Sequence, residues 1–194
     1  MKRIFSLSLA VLFGVFVLSS CGGDDDPAPA PQKPENGNLY VSLYCSPEGN
    51  YYDYYDITAT YTDVYGMMHS EVLSPEHPFK YEAKLPVKQA QLLQRLTCQV
   101  RAVAKTVLPD NPAPKLNFWC KDKAFAMVAF GEDGKDFSQA FINAGPDQQP
   151  WLHLMARVDF TGIDSGRVGD FLARYADVNL IDMNFDVAAY LRAQ

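Results

Sequence analysis

The chain has 194 residues, 48% of them hydrophobic and 21% charged, with 17 basic against 23 acidic side chains and a net charge of −6. That length holds a short leader and one domain, large enough to bury roughly 70% of its unfolded surface. The acidic balance and the scatter of the basic residues exclude nucleic acid as a partner and disfavour anionic lipid surfaces.

Lys2 and Arg3 open the chain and an apolar run follows over residues 4–18. The run has the length of a signal-peptide core and is shorter than the roughly 20 residues a spanning helix needs. Ser19 and Ser20 then precede Cys21. The order of cationic start, apolar core, small pair and cysteine resembles the lipobox of bacterial lipoproteins. The resemblance implies cleavage after residue 20 and a diacylglyceryl group on the Cys21 sulfur. Thioether formation needs a thiol, and a narrow peptidase cleft needs small residues before it. Acyl chains contribute about 0.8 kcal/mol per buried methylene, so two or three of them hold a protein on a bilayer stably. Asp24, Asp25 and Asp26 follow. An acidic cluster at this position resembles the export signal of Bacteroidota lipoproteins, which implies display on the outer face of the outer membrane. Gly22, rather than an aspartate, follows the cysteine, which argues against inner-membrane retention. Pro27, Pro29, Pro31 and Pro34 alternate with small and polar residues. Residues 21–38 therefore read as an extended tether, at about 3.1 Å per residue. The expected partner is a membrane, reached through the lipid. Cleavage leaves 15 basic against 23 acidic residues, a charge of −8.

The rest, residues 39–194, reads as a single domain in which period-two alternation dominates. Leu39, Val41, Leu43 and Cys45 share one face of a strand, with Tyr40, Ser42 and Tyr44 on the other. After a turn cluster at residues 46–50, Tyr55, Ile57, Ala59 and Tyr61 alternate with Asp56, Thr58, Thr60 and Thr62. The two runs read as an N-terminal hairpin. Phe79, Tyr81, Ala83 and Leu85 form a third inward set, and Cys98, Val100, Ala102 and Ala104 a fourth. Residues 88–96 carry three leucines and read as a helix after Pro86. Pro109, Pro112 and Pro114 break the chain. Residues 115–121 and 124–130 read as strands, the second apolar on both faces and so central in a sheet. Asp133-Gly134 signals a hairpin leading to residues 139–143. Residues 151–160 alternate again, residues 167–176 have helical spacing behind Asp164 or Ser165 as cap, and residues 180–191 read as a last strand. The fold expected is mainly β: an immunoglobulin-like, Greek-key β-sandwich of eight or nine strands with one or two short helices, a closed barrel being the alternative.

Three cysteines remain in the domain: Cys45, Cys98 and Cys120. An oxidising compartment permits one disulfide, for which Cys45 with Cys98 is the expected pair because both point inward; three buried free thiols are the other reading. His69, His77 and His153 stand in no metal-binding spacing, and no nucleophile elbow, phosphate loop or dinucleotide fingerprint occurs. Residues 131–136 lack the ligand spacing of a calcium loop. No cofactor, metal or catalytic activity is expected.

Eight tyrosines crowd residues 40–65. Alternation points Tyr40 and Tyr44 outward with Tyr54, a rigid apolar face edged by hydroxyls, with Asp53 and Asp56 beside it to accept sugar hydroxyls. The expectation is a binding module for a glycan or a protein. The alternative is a pilus or adhesin subunit, since Bacteroidota fimbrillins are lipoproteins with β-sandwich domains; residues 180–191 would then serve as a donor strand.

Overall fold

A computed structural model describes residues 36–120, 122–132, 134, 151–155 and 158–193. The leader, Cys21, Asp24, Asp25, Asp26 and the expected strand at residues 139–143 lie outside the described residues. Among those described, no helix is long and apolar enough to cross a membrane.

The protein is mainly β. Eleven strands among the described residues form three antiparallel sheets. The strands are β1 (Asn38–Cys45), β2 (Glu48–Gly49), β3 (Tyr55–Thr62), β4 (Met68–Val72), β5 (Phe79–Pro86), β6 (Arg95–Ala104), β7 (Lys115–Trp119), β8 (Ala124–Gly131), β9 (Trp151–Met155), β10 (Phe160–Asp164) and β11 (Asp177–Asp186). The first sheet has the order β5-β1-β8-β9 and the second β11-β6-β3-β4; a small third sheet has the order β10-β7-β2. Each large sheet turns one face inward, as alternation predicts. Leu39, Val41, Leu43, Ala126 and Val128 from the first meet Ile57, Ala59, Leu96, Val100, Ala102 and Met183 from the second in one apolar core. The chain changes sheet between β1 and β3, between β4 and β5, and between β5 and β6, so that β5 returns beside β1 in a Greek-key connection.

The expected N-terminal hairpin does not form. β1 pairs with β5 and β8, and β3 pairs with β4 and β6. Between β1 and β3, the two-residue strand β2 and the one-turn helix α1 (Tyr51–Tyr54) carry the chain across to the other sheet. The helix expected at residues 88–96 shrinks to one turn, α2 (Val87–Ala90). Leu96 is buried as part of β6 opposite Phe185, while Leu92 is 86% exposed, so sheet pairing outcompetes the leucine spacing. The helix α3 (Val168–Arg174) forms as expected, behind a 3₁₀ turn in which Asp164 accepts the Gly166 amide. The last run is a strand only to Asp186, and residues beyond it form α4 (Val187–Ala193). The Asp186 carboxylate accepts the Ala189 amide at 2.7 Å and so caps that helix. β11 completes the edge of the chain's own second sheet, in register with β6 from Asp177 to Asp186.

A built turn joins β3 to β4. Asp63 is buried, and one of its carboxylate oxygens accepts the amides of Tyr65 and Met67 at 2.8 and 2.9 Å. The other oxygen meets His69 Nε2 at 2.8 Å. Gly66 supplies the positive φ that the turn requires. Burial works to raise the Asp63 carboxyl, but the hydrogen bonds from His69, Met67 and Tyr65 outweigh it and hold the group below its ordinary value. A depressed folded-state value contributes stability above the unfolded value of about 3.9, and that contribution disappears as pH falls through the folded value. Asp63→Asn is therefore expected to destabilise the protein at neutral pH, and the gap from wild type should close as denaturation is repeated from about pH 5 down to pH 2. A gap that stays constant across that range would show that the charge on Asp63 adds nothing to folding.

Candidate functional site

The expected tyrosine face does not form. Tyr40 is on the outer side of β1 but only 2% exposed, with its hydroxyl donating to the Glu132 carbonyl at 3.4 Å and the Lys84 ammonium 5.4 Å from its ring centroid. Tyr44 is half-buried, 5.6 Å from the ring of Phe125. Tyr54 is 1% exposed and lies inside the protein, because the turn of helix α1 aims it at Phe118 rather than outward. The outer side of the first sheet is apolar along β8, where Phe125, Met127 and Ala129 lie beside Tyr44, Ser42 and Tyr40, and charged along β5, where Lys80, Glu82 and Lys84 face the same three residues; Tyr40, Ser42 and Ala129 are buried there. Asp53 is exposed on α1, where it accepts the Asn50 side-chain amide at 3.1 Å. Asp56 is exposed too, but it belongs to the other sheet.

The Cys45–Cys98 disulfide does not form either. Cys45, Cys98 and Cys120 are all free and fully buried. Cys45 projects from β1 of the first sheet and Cys98 from β6 of the second, and the thiol hydrogen-bonded to Cys45 is that of Cys120. That bond and burial push the Cys45 thiol up, and burial pushes Cys98 up to about 12. Neither Cys45 nor Cys98 is a nucleophile near neutral pH. Among the described residues, no three His, Cys, Asp or Glu side chains converge on a common metal position.

The surface the structure does present is the outer face of the second sheet. Its four strands lie about 4.8 Å apart, and side chains on one face recur about every 6.8 Å along each strand. Register assembles the rows. Val103 of β6 lies between Asp56 of β3 and Asp177 of β11. Arg101 lies between Thr58 and Asn179, and Thr58 faces Val72 of β4. Gln99 lies between Thr60 and Asp182, and Thr60 faces Ser70. Thr97 faces Asn184, and its hydroxyl is 2.7 Å from that of Thr62, which faces Met68. Gln99, Arg101, Asn179, Asp182, Asn184 and Ser70 are exposed, and the threonines are half-buried. The Arg101 guanidinium pairs with Asp177 and holds that carboxyl below its usual value. Between Asn179 and Ile181 the register shifts, so that Leu180 and Ile181 are both buried and the polar alternation resumes at Asp182.

The face ends in a cavity. Arg95 and Asp186 are the terminal pair of β6 and β11, and with Gln94, Ala188 and Arg192 they line a hollow of about 440 Å³ beside α4. The Arg95 guanidinium donates to Asp186 at 3.4 Å, a long contact between two half-exposed groups. The other carboxylate oxygen of Asp186 is engaged by the Ala189 amide. Arg192 feels Asp186 electrostatically but makes no hydrogen bond among the described residues. Among the described residues, two guanidinium groups thus line the hollow with a single carboxylate.

The residues of this face are visible in the sequence as the polar halves of three alternating runs. What sequence could not supply is the order β11-β6-β3-β4, which sets those halves side by side. No protein family matches the chain, no characterised protein shows detectable similarity to it, and no solved structure matches its fold.

Proposed function

We propose that the protein is a lipid-anchored module, displayed on the outer membrane surface through Cys21 and the Asp24-Asp25-Asp26 signal, that binds a glycan on the outer face of its second sheet. The observation that carries the reading is the uncovered polar grid of Thr58, Thr60, Gln99, Asp182 and Asn184. Hydroxyls, amides and a carboxylate at sheet spacing offer both donors and acceptors to a hydroxyl-rich chain. A glycan suits this face better than a protein does. Protein hot spots need large aromatic anchors in desolvated pockets, and the large apolar side chains exposed on this face, Met68, Val72 and Val103, include no aromatic ring.

Two measurements test the proposal. Cys21→Ala is expected to leave the membrane fraction after a high-salt wash; continued partitioning would remove the anchor. On a panel of immobilised polysaccharides, Gln99→Ala combined with Asp182→Ala is expected to weaken binding about tenfold or more while the melting temperature holds, since both residues are exposed and each lost hydrogen bond to ligand is worth about 1 kcal/mol. Unchanged binding would move the site away from this face.

A further inference from the structure

The cavity at the end of the face has a charge pattern that the rest of the grid lacks. Along the grid, Arg101 is matched by its bidentate partner Asp177. Among the described residues lining the cavity, Asp186 is the only carboxylate against Arg95 and Arg192, and one of its oxygens is already committed to a backbone amide. The remaining oxygen reaches Arg95 at the long end of hydrogen-bonding distance. The described lining therefore carries one more positive than negative charge, on two exposed guanidinium groups. Gln94 adds a neutral amide to the wall, and Ala188 leaves room rather than filling it. The volume, about 440 Å³, falls within the range of small-molecule sites, roughly 300–1,000 Å³. A guanidinium presents two parallel N–H groups whose spacing matches the two oxygens of a carboxylate.

We infer that the Arg95–Arg192 cavity is a subsite for the carboxylate of a uronic-acid residue, so that the glycan bound along the second sheet is an acidic polysaccharide. This rests on the glycan reading of the face and adds its ligand class. The uronate carboxylate takes Arg192 bidentately and shares Arg95 with Asp186, and the neighbouring sugars of the chain continue over Thr97 and Asn184, the next row of the sheet.

Calorimetry on the full chain with matched ligands tests it. The probes are an oligogalacturonate, its methyl ester of equal length, and a poly-glutamate of similar charge. At low ionic strength the acid is expected to bind about tenfold more tightly than the ester. The advantage should shrink as salt rises from about 50 mM to 500 mM, because both arginines are exposed and screened. Arg192→Gln should erase the difference by lowering affinity for the acid alone, and Arg95→Gln should act in the same direction. Equal binding of acid and ester by the wild type would overturn the subsite and leave the glycan-binding face standing. Binding of neither would overturn the subsite and, together with no binding on the polysaccharide panel, the glycan-binding face as well. Poly-glutamate binding as tightly as the oligogalacturonate would assign the cavity to acidic peptides and overturn the uronate assignment.

Discussion

Phe118→Ala is expected to cost about 3–5 kcal/mol of folding stability, the range for removing a buried phenylalanine. Phe118 is fully buried on β7, the central strand of the small third sheet. Its ring centroid lies 5.4 Å from Tyr51, 5.8 Å from Tyr54, 5.7 Å from Tyr55 and 5.1 Å from Phe171. Those four rings come from α1, β3 and α3, so one side chain ties the crossover between the large sheets to the helix before β11. Two of the partners are fixed at their far ends: the Tyr51 hydroxyl donates to the Val158 carbonyl at 2.8 Å and the Tyr55 hydroxyl to the Tyr175 carbonyl at 2.9 Å. Anchored rings cannot slide in to fill the hole, so the cavity term adds to the lost transfer energy. Urea denaturation should show a lowered midpoint, and the melting temperature should fall by about 6–20 °C, at about 2–4 °C per kcal/mol. The neighbouring Trp119 is 49% exposed, and its replacement by alanine should change stability by about 1 kcal/mol or less. If the two variants melted together, the aromatic cluster would not be the keystone that its geometry describes.

The pattern of what sequence discloses follows from what is local. Side-chain parity along a strand is local. The inward sets Leu39-Val41-Leu43-Cys45, Tyr55-Ile57-Ala59-Tyr61 and Cys98-Val100-Ala102 are buried as alternation requires. Whether the opposite side is covered is not local. Tyr40 follows the parity rule and points away from the core, yet it is buried, because β1 is an inner strand between β5 and β8, and the Lys84 side chain and the Glu132 carbonyl close over its ring and hydroxyl. Tyr54 fails for another reason: α1 is one turn long, too short to imprint a period on four residues of which three are tyrosine. At the C-terminus parity misleads outright. Ile181, Met183, Phe185 and Val187 keep strand alternation into a helix, and the contrary signal, Asp186 as a cap before Val187-Ala188-Ala189, is a single side chain. The candidate site was legible in pieces, as outward-facing threonines and aspartates. It became a surface only through the long-range pairing of β6 with β3 and β11.

Gly49→Ala is the second substitution expected to have a large effect, about 2–4 kcal/mol, from backbone strain together with lost hydrogen bonds. Gly49 has φ +70°, and a Cβ placed there would lie 2.3 Å from the Asn117 carbonyl oxygen. That oxygen cannot withdraw without loss. It accepts the Asn50 amide at 2.6 Å, while the Asn50 side chain accepts the Asn117 amide at 2.9 Å, so a pair of reciprocal bonds holds β2 against β7. A methyl group at this point must push the two strands apart, and both bonds lengthen with them. The damage then spreads along the chain, because Asn50 leads directly into α1, whose Tyr51 and Tyr54 pack on Phe118. Gly162 supplies the control. Its φ is +68°, nearly the same, but nothing lies within 4 Å of its Cβ position. Gly162→Ala should therefore show the conformational cost alone, about 1 kcal/mol. Chemical denaturation of the two variants separates the contributions, since the difference between them measures the clash with Asn117. Equal losses would mean that the strands part freely and that the crossover does not depend on the Asn50–Asn117 pair. A Gly49 variant losing clearly more than the Gly162 variant, with a matching loss of near-ultraviolet circular dichroism from the displaced tyrosines, is the expected result.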